Sequence, residues 1–175
     1  MNASEAALAS PVQRQRLDFH EVQRILPYKS PWLLIDRVDS WDDKEIKVIK
    51  AISGSEANMQ AHMADGPSIM PGVLQIELVN QALMLLMILQ NMAGYRRDAL
   101  GGAGVLVQVK AKFISPAYIG DVLVARVRPI TTVGSMTTFE GEISALQYET
   151  GSVTERAVSK VSVTGAQVHS MEGQS

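Results

Sequence analysis

The chain has 175 residues, of which 46% are hydrophobic, a formal net charge of −2 at pH 7 and no cysteine. The length and hydrophobic content indicate a single globular domain with a sizeable core, and the slightly negative charge argues against a general nucleic-acid binder. The absence of cysteine excludes disulfides, thiolate metal sites and a cysteine nucleophile, and it fits a reducing cytoplasm, where we expect the protein to be located.

The two ends of the chain are less apolar than its middle. Residues 1–16 are rich in Ala, Ser and Gln, so we predict a flexible tail there, with a second flexible tail over residues 166–175. Between them we predict one domain over residues 17–165. The first segment lacks a cationic start followed by a long apolar run, so it does not resemble a secretion signal.

The first elements that the sequence predicts are a short helix and two strands. A capping-box pattern, Asp18 with Glu21 three residues later, starts a helix that ends at Leu26. Runs of apolar and β-branched residues then favour strands. The two predicted strands and the loop that follows them span Trp32–Ser40, Glu45–Ile52 and Ser53–Ile69.

The most apolar stretch of the chain, Val73–Leu89, reads VLQIELVNQALMLLMIL. Its Leu, Met, Ala and Gln content favours a helix, with Pro71 at its approach and Gly94 near its end. We therefore predict a helix over Val73–Met92. A membrane span usually needs about 20 mostly apolar residues. Because this stretch is shorter and contains polar side chains, we expect the buried helix of a soluble protein and no membrane span.

From residue 105 onward, the sequence is typical of strands separated by turns, with turn residues at Gly120, Gly134 and Gly151. One apolar helix among strands predicts an α+β fold in which an antiparallel sheet wraps around the helix, the hot-dog architecture. Because the helix is apolar nearly all round, we expect a second subunit to help cover it. The four predicted strands are Val105–Ile114, Val122–Thr132, Met136–Tyr148 and Ser152–Thr164.

One charged side chain, Glu77, lies inside the apolar stretch, where burial of an unpaired charge is costly. Asn80 and Gln81, three and four residues later, share its helix face. This polar stripe either faces solvent or holds a carboxylic acid that can donate a proton. Upstream, His62 is a candidate base, and the N–H of Gly72 at a helix start can polarise a carbonyl. A surface histidine and a turn glycine are the alternative interpretations of these two residues.

Two segments resemble a known family. Residues 26–38 read LPYKSPWLLIDRV, and residues 69–82 read IMPGVLQIELVNQA. They are similar to L-P-H-R-x-P-F-L-L-V-D-R-V and I-M-P-G-V-L-x-x-E-A-x-A-Q-A, two motifs of the (3R)-hydroxyacyl-[acyl-carrier-protein] dehydratases of type II fatty-acid synthesis. The resemblance covers about residues 18–164.

The resemblance implies a hot-dog dimer with its sites at the subunit interface. His62 matches the histidine that removes the α-hydrogen, and Glu77 of the other subunit matches the acid that donates a proton to the departing 3-hydroxyl. Gly72 matches the glycine whose N–H contacts the thioester carbonyl, and Gln81 matches a polar position assigned to substrate binding. The resemblance implies no metal and no redox cofactor, only a substrate carried on the phosphopantetheine of an acyl carrier protein.

The implied partner, an acyl carrier protein, is acidic, so we expect a basic entrance to the site. The resemblance also implies an apolar acyl tunnel, with Met84, Met87 and Ile88 as candidate lining residues; ordinary core packing is the alternative interpretation. A homodimer, a higher homo-oligomer and a heterodimer with another hot-dog chain remain open. The candidates for the basic entrance are Arg96, Arg97, Lys110, Lys112, Arg126 and Arg128.

The segment after His62 departs from the family pattern G-H-F-P-G-R-P-I-M-P-G. It is one residue longer, Met63 and Ala64 replace Phe and Pro, and Tyr28 replaces the histidine of the first motif. These changes indicate a specialised branch, such as a dehydratase of polyketide or polyene assembly. The alternatives are a hot-dog acyl thioesterase, a dehydratase-isomerase, which typically has aspartate where this chain has Glu77, and a non-catalytic acyl-binding subunit of a hetero-oligomeric complex.

Overall fold

The structure is a computed structural model in which residues 16–60, 62, 66, 68–90 and 104–167 are described. Most of both predicted tails, and the predicted helix end at Gly94, therefore lie outside the described residues. The last strand continues through Gln167, past the predicted boundary at residue 165. The predicted domain boundaries stay predictions.

One antiparallel sheet of six strands and one long helix form most of the described structure. The elements are α1 Phe19–Ile25, β1 Arg37–Trp41, β2 Ile46–Ala51, α2 Ala57–Gln60, α3 Gly72–Gln90, β3 Gly104–Phe113, β4 Val122–Val133, β5 Met136–Glu149 and β6 Ser152–Gln167. Across the sheet the strands follow the order β1-β2-β4-β5-β6-β3, and each neighbouring pair is antiparallel. The predicted α+β class, with an antiparallel sheet around a central helix, is confirmed.

The first strand begins later than predicted. β1 starts at Arg37, whereas the sequence predicted a strand from Trp32. The backbone N–H groups of Trp32 and Leu33 donate to the carbonyl of Lys29, and that of Leu34 donates to a side chain of α3. The apolar side chains of this segment, such as Leu34 and Ile35, are buried, and its backbone bonds a side chain of α3. The prediction of a strand from Trp32 was therefore wrong.

A short helix, α2, lies inside the predicted loop Ser53–Ile69 and was not predicted. Glu56 precedes it, and its side chain accepts the N–H of Ser53 at 2.9 Å while its carbonyl accepts the N–H groups of Met59 and Gln60. The same carboxylate pairs with the buried ammonium of Lys50 at 2.8 Å. Four residues are too few to produce a periodic pattern, so only these contacts define the helix.

Local signals predicted the caps and turns correctly. Asp18 and Glu21 form the predicted capping box at the start of α1, each side chain accepting the backbone N–H of the other. The turns that flank β4 and β5 place Gly120, Gly134 and Gly151 at φ values of 96°, 59° and 83°. This left-handed region costs glycine little but strains residues that carry a Cβ.

Helix α3 lies close against the sheet at Gly141 of β5. A Cβ at this glycine would lie 2.6 Å from both methyl carbons of Val79, so the helix can approach only because no side chain is present. The neighbouring helix residues Leu78, Ala82 and Leu86 are fully buried. Within the described residues, α3 alone has the length and apolarity of a membrane span, but most of it is buried in the fold, as in the core helix of a soluble protein.

We expect Gly141→Ala to lower the free energy of unfolding by about 1–3 kcal/mol, because the added methyl group overpacks the contact with Val79. Urea titration followed by far-UV circular dichroism would measure the change. Gly165→Ala in β6 is the matched control, since a Cβ there meets its nearest atom at an ordinary 3.7 Å. Equal destabilisation by both substitutions would contradict the proposed close approach.

Candidate active site

Glu77 lies in the second turn of α3, and one of its two carboxylate oxygens accepts two hydrogen bonds. Oε1 accepts the indole N–H of Trp32 at 3.0 Å and the side-chain amide N–H of Gln81 at 2.9 Å. Within the described residues, Oε2 accepts no hydrogen bond. The carboxyl group therefore has one oxygen fixed by the protein and one available to a reacting molecule.

Gln81 is completely buried and connects α3 to the segment before β1. Its amide oxygen accepts the backbone N–H of Leu34 at 2.9 Å, and its amide nitrogen donates to the carbonyl of Trp32 at 2.7 Å as well as to Glu77. The sequence predicted that Glu77 and Gln81 share one helix face, and in the structure a hydrogen bond joins them. Because its amide already serves three protein groups, Gln81 positions Glu77; its contact with substrate stays a prediction.

Trp32 and Tyr28 border Glu77, and the sequence did not identify either as a site residue. Trp32 is 49% exposed although its indole N–H is bonded to the carboxylate. Burial, and secondarily the negative charge of Glu77, raise the pKa of the Tyr28 phenol above its ordinary value. The phenol therefore stays protonated near neutral pH. The only signal in the sequence was the departure of both residues from the family motif.

His62 follows α2 and is partly buried. Its Nδ1 lies 3.0 Å from the carbonyl oxygen of Ile69. A carbonyl oxygen only accepts hydrogen bonds, so Nδ1 carries the hydrogen and the lone pair of the neutral ring is on Nε2. This tautomer presents Nε2 as a base. Within the described residues, no hydrogen bond joins His62 to Glu77 of the same chain.

The segment that holds the His62 ring is itself fixed to the loop between β3 and β4. The N–H of Met70 donates to the carbonyl of Ala117 at 2.8 Å, and the N–H of Ile119 donates to the carbonyl of Ser68 at 3.1 Å. Ile69, whose carbonyl holds His62, forms an isolated bridge with Tyr118 between these two bonds. The position of the histidine is therefore set by backbone pairing.

Gly72 is the first residue of α3, as its predicted role requires. Its N–H belongs to the first turn, so the helix offers it no acceptor, and the helix dipole adds partial positive charge there. A Cβ at Gly72 would lie 2.6 Å from Cζ of Phe113, closer than real Cβ contacts. The aromatic ring thus covers the helix start in a way that only glycine permits without displacement.

The remaining candidates fall into two groups. Met84 and Met87 are partly buried and Ile88 is buried, all packed with the hydrophobic core. Of the basic residues, Lys110 and Lys112 are exposed on β3. Arg126 and Arg128 of β4 instead pair with acidic residues, on β6 and β5 respectively. Arg96 and Arg97 lie outside the described residues. Within the part of the chain that is described, no cluster of His, Asp and Glu could hold a metal ion.

The two arginines of β4 are less available to an acidic partner than the two lysines of β3. Arg126 makes two hydrogen bonds with the carboxylate of Glu155, at 2.6 and 2.8 Å. The guanidinium lowers the pKa of Glu155 to about 2, so this carboxylate stays ionised and offsets the arginine's charge. Among the described residues, Lys110 and Lys112 form no ion pair, which leaves their charges uncompensated.

Comparison with known proteins identifies relatives over most of the chain. The FabA-like domain family matches residues 26–147. A 3-hydroxyacyl-[acyl-carrier-protein] dehydratase FabZ from Thermus thermophilus is 32% identical over 143 residues, covering 81% of this chain and 87% of the relative. Its counterpart from Xanthomonas oryzae pv. oryzae is 33% identical over 138 residues, covering 77% and 87%. The dehydratase heterocomplex ApeI:P from Xenorhabdus doucetiae shares the fold, with a TM-score of 0.65, 20% identity and coverage of 86% and 93%.

We expect Gln81→Leu to lower the free energy of unfolding by about 2–5 kcal/mol, because it leaves the N–H of Leu34 and the carbonyl of Trp32 buried without partners. Chemical denaturation would measure the loss. The control is Gln90→Leu at the exposed end of the same helix, where a single bond to the carbonyl of Asp43 is removed. A similar, small effect of both substitutions would contradict the structural role of Gln81.

Proposed function

This chain belongs to the FabA-like family, and we propose that it removes water from a (3R)-3-hydroxyacyl thioester on an acyl carrier protein, giving the trans-2-enoyl thioester. The observation that carries the proposal is the state of Glu77, a carboxyl group in the apolar central helix. One of its oxygens is fixed by two N–H donors, and the other accepts no hydrogen bond from the residues that the structure describes. The family and the FabZ relatives supply the reaction class.

The first half of the reaction needs a base and an electrophilic contact. The thioester carbonyl would accept the N–H of Gly72 at the start of α3, which stabilises the negative charge that develops on its oxygen as an enolate forms. Nε2 of His62 would remove the α-hydrogen, since Nδ1 already donates to Ile69. The bond to Ile69 also stabilises the imidazolium that results, because its carbonyl oxygen accepts from the charged ring.

The second half needs an acid. Glu77 would donate a proton from Oε2 to the 3-hydroxyl, the C–O bond breaks, and water departs as the double bond forms between the α and β carbons. The product therefore differs from the substrate by one water. His62 and Glu77 return to their starting protonation states when the imidazolium loses a proton and Glu77 gains one. The two N–H donors on Oε1 stabilise the carboxylate that this step produces.

A complete site would combine two copies of the chain. Within the described residues, His62 and Glu77 of one chain form no hydrogen bond, as expected if each faces the partner residue of the other copy. β3 is one of the two edge strands of the sheet and pairs only with β6. Its residues Val105, Leu106 and Val107 are exposed. An exposed apolar edge strand is a surface that a second copy can cover.

The substrate carrier and the pathway follow from the same assignment. An acidic carrier protein would approach Lys110 and Lys112 rather than the paired Arg126 and Arg128. The chemistry requires no redox cofactor, since it is an elimination between an acid and a base. The altered residues after His62, with Tyr28 and Trp32 beside Glu77, support a specialised branch of cytoplasmic fatty-acid or polyketide synthesis.

We expect Glu77→Gln to lower dehydratase turnover at least about a hundredfold while the protein stays folded. The amide oxygen of glutamine can still accept from Trp32 and Gln81, so the substitution removes the proton and keeps the hydrogen bonds. His62→Ala should cause a similar loss, whereas the control His20→Ala, at an exposed position of α1, should not. Turnover of purified 3-hydroxyacyl carrier protein, followed by mass spectrometry, measures all three; near-full activity of Glu77→Gln would exclude the assignment.

The product distinguishes the proposed reaction from the other activities of hot-dog proteins. Loss of one water to a 2-enoyl thioester supports the dehydratase. Release of a free acid would indicate a thioesterase, and a shifted double bond a dehydratase-isomerase. Activity that appears only after a second hot-dog chain is added would indicate a subunit of a heteromeric complex.

A mixing experiment tests whether the two catalytic residues come from different copies. In a twofold dimer with shared sites, a heterodimer of His62→Ala and Glu77→Gln has one intact site and one doubly damaged site. Random exchange of subunits should therefore restore about a quarter of the wild-type activity. The control is each variant taken through the same exchange procedure alone, which should stay inactive. If His62 and Glu77 acted within one chain, the mixture would stay inactive.

A further inference from the structure

Trp32 forms hydrogen bonds with both Gln81 and Glu77, through its backbone carbonyl and its indole N–H respectively. Its backbone carbonyl accepts the amide N–H of Gln81 at 2.7 Å, and its indole N–H donates to Oε1 of Glu77 at 3.0 Å. The ring is 49% exposed in the single chain. These bonds fix the position of the indole. Because the ring is half-exposed, burial of apolar surface alone does not explain why tryptophan stands at this position.

The arrangement determines which oxygen of Glu77 can carry a proton. A carboxyl oxygen has two lone pairs in the carboxyl plane. On Oε1 both are engaged, one by Trp32 and one by Gln81. Protonation is therefore directed to Oε2, which accepts no hydrogen bond within the described residues.

Gln81 alone would not have this effect. With a single donor, Oε1 keeps one free lone pair, and the proton can lie on either oxygen. A second donor also stabilises the charge that appears on the carboxyl group when its proton leaves, because hydrogen bonds to an ionised acceptor are stronger than neutral ones. Both effects act during proton transfer and not during substrate binding.

We propose that Trp32 is a positioning residue for the acid: its indole N–H, together with Gln81, places the proton of Glu77 on Oε2 and stabilises the carboxylate after transfer. This inference rests on the proposed dehydratase function. The family motif has Phe at this position, so the second donor is a property that this chain adds to the motif.

Trp32→Phe tests the proposal because it keeps an aromatic ring and removes only the N–H. We expect kcat to fall about tenfold, the effect of one hydrogen bond to a charged group, with KM changed less than about twofold. Trp41→Phe is the matched control, because the indole N–H of Trp41 is buried and has no hydrogen-bond partner among the described residues. It should leave both constants unchanged.

A fluorescence measurement tests the link between Trp32 and Glu77 without turnover. In the Trp41→Phe background, Trp32 is the one remaining tryptophan, and its emission maximum should shift when Glu77→Ala removes the acceptor of the indole N–H. Glu77→Gln, whose amide oxygen can still accept that N–H, should shift it less. If the wild type forms no enoyl product while these shifts appear as expected, the proposed function fails and the coupling of the two residues stands.

Three results would overturn the role of Trp32. In the first, Trp32→Phe leaves kcat within about twofold of the wild type, which means that Gln81 positions the acid alone. In the second, KM rises with kcat unchanged, which indicates a substrate contact. In the third, the emission of Trp32 shifts no more with Glu77→Ala than with Glu77→Gln, which means that the hydrogen bond does not persist in solution.

Discussion

The buried amide of Gln81 is the constraint on which the candidate site depends. It joins α3 to the segment before β1 through Trp32 and Leu34 and also holds Glu77. A completely buried amide is costly unless its groups are satisfied, so a rotation of the helix or a shift of the segment would break several bonds together. The proposed acid, Glu77, is thus oriented by the core of the protein and not by a surface loop.

The proposed base, His62, depends on the same segment from its other side. The side chain of Asn58 in α2 donates to the carbonyl of Pro31, the residue next to Trp32. The pairing of Glu56 with buried Lys50 fixes the start of α2, and His62 follows that helix. The segment around Pro31 and Trp32 therefore contacts both the element that leads to the base and the helix that carries the acid. Changes in this segment should affect the two halves of the site together.

Local patterns were sufficient for most of the fold. The capping box at Asp18, the turn glycines and the long apolar helix follow from signals within a few residues, and the pairing of Glu77 with Gln81 follows from helical spacing. The role of Trp32 does not, because its partner is 45 residues away in the sequence. For the same reason the apolar run at residues 32–35 resembled a strand. The side chain of Gln81, which bonds the backbone of this run, could not be identified from the run itself.

The hydrogen bonds of Glu77 explain how a carboxyl group can be placed in an apolar helix. The side chain of Glu77 is only partly buried, and Oε2 is not one of the buried polar atoms that lack a partner among the described residues. It can therefore be reached from outside the helix. Here two donors converge on Oε1 and Oε2 has none in the described chain. This unequal pairing suits a group that alternates between a protonated and an ionised form, because the fixed oxygen holds the geometry in both forms while the free oxygen gains and loses the proton. The structure thus separates the oxygen that holds the carboxyl group in place from the oxygen to which the proposed mechanism assigns the proton.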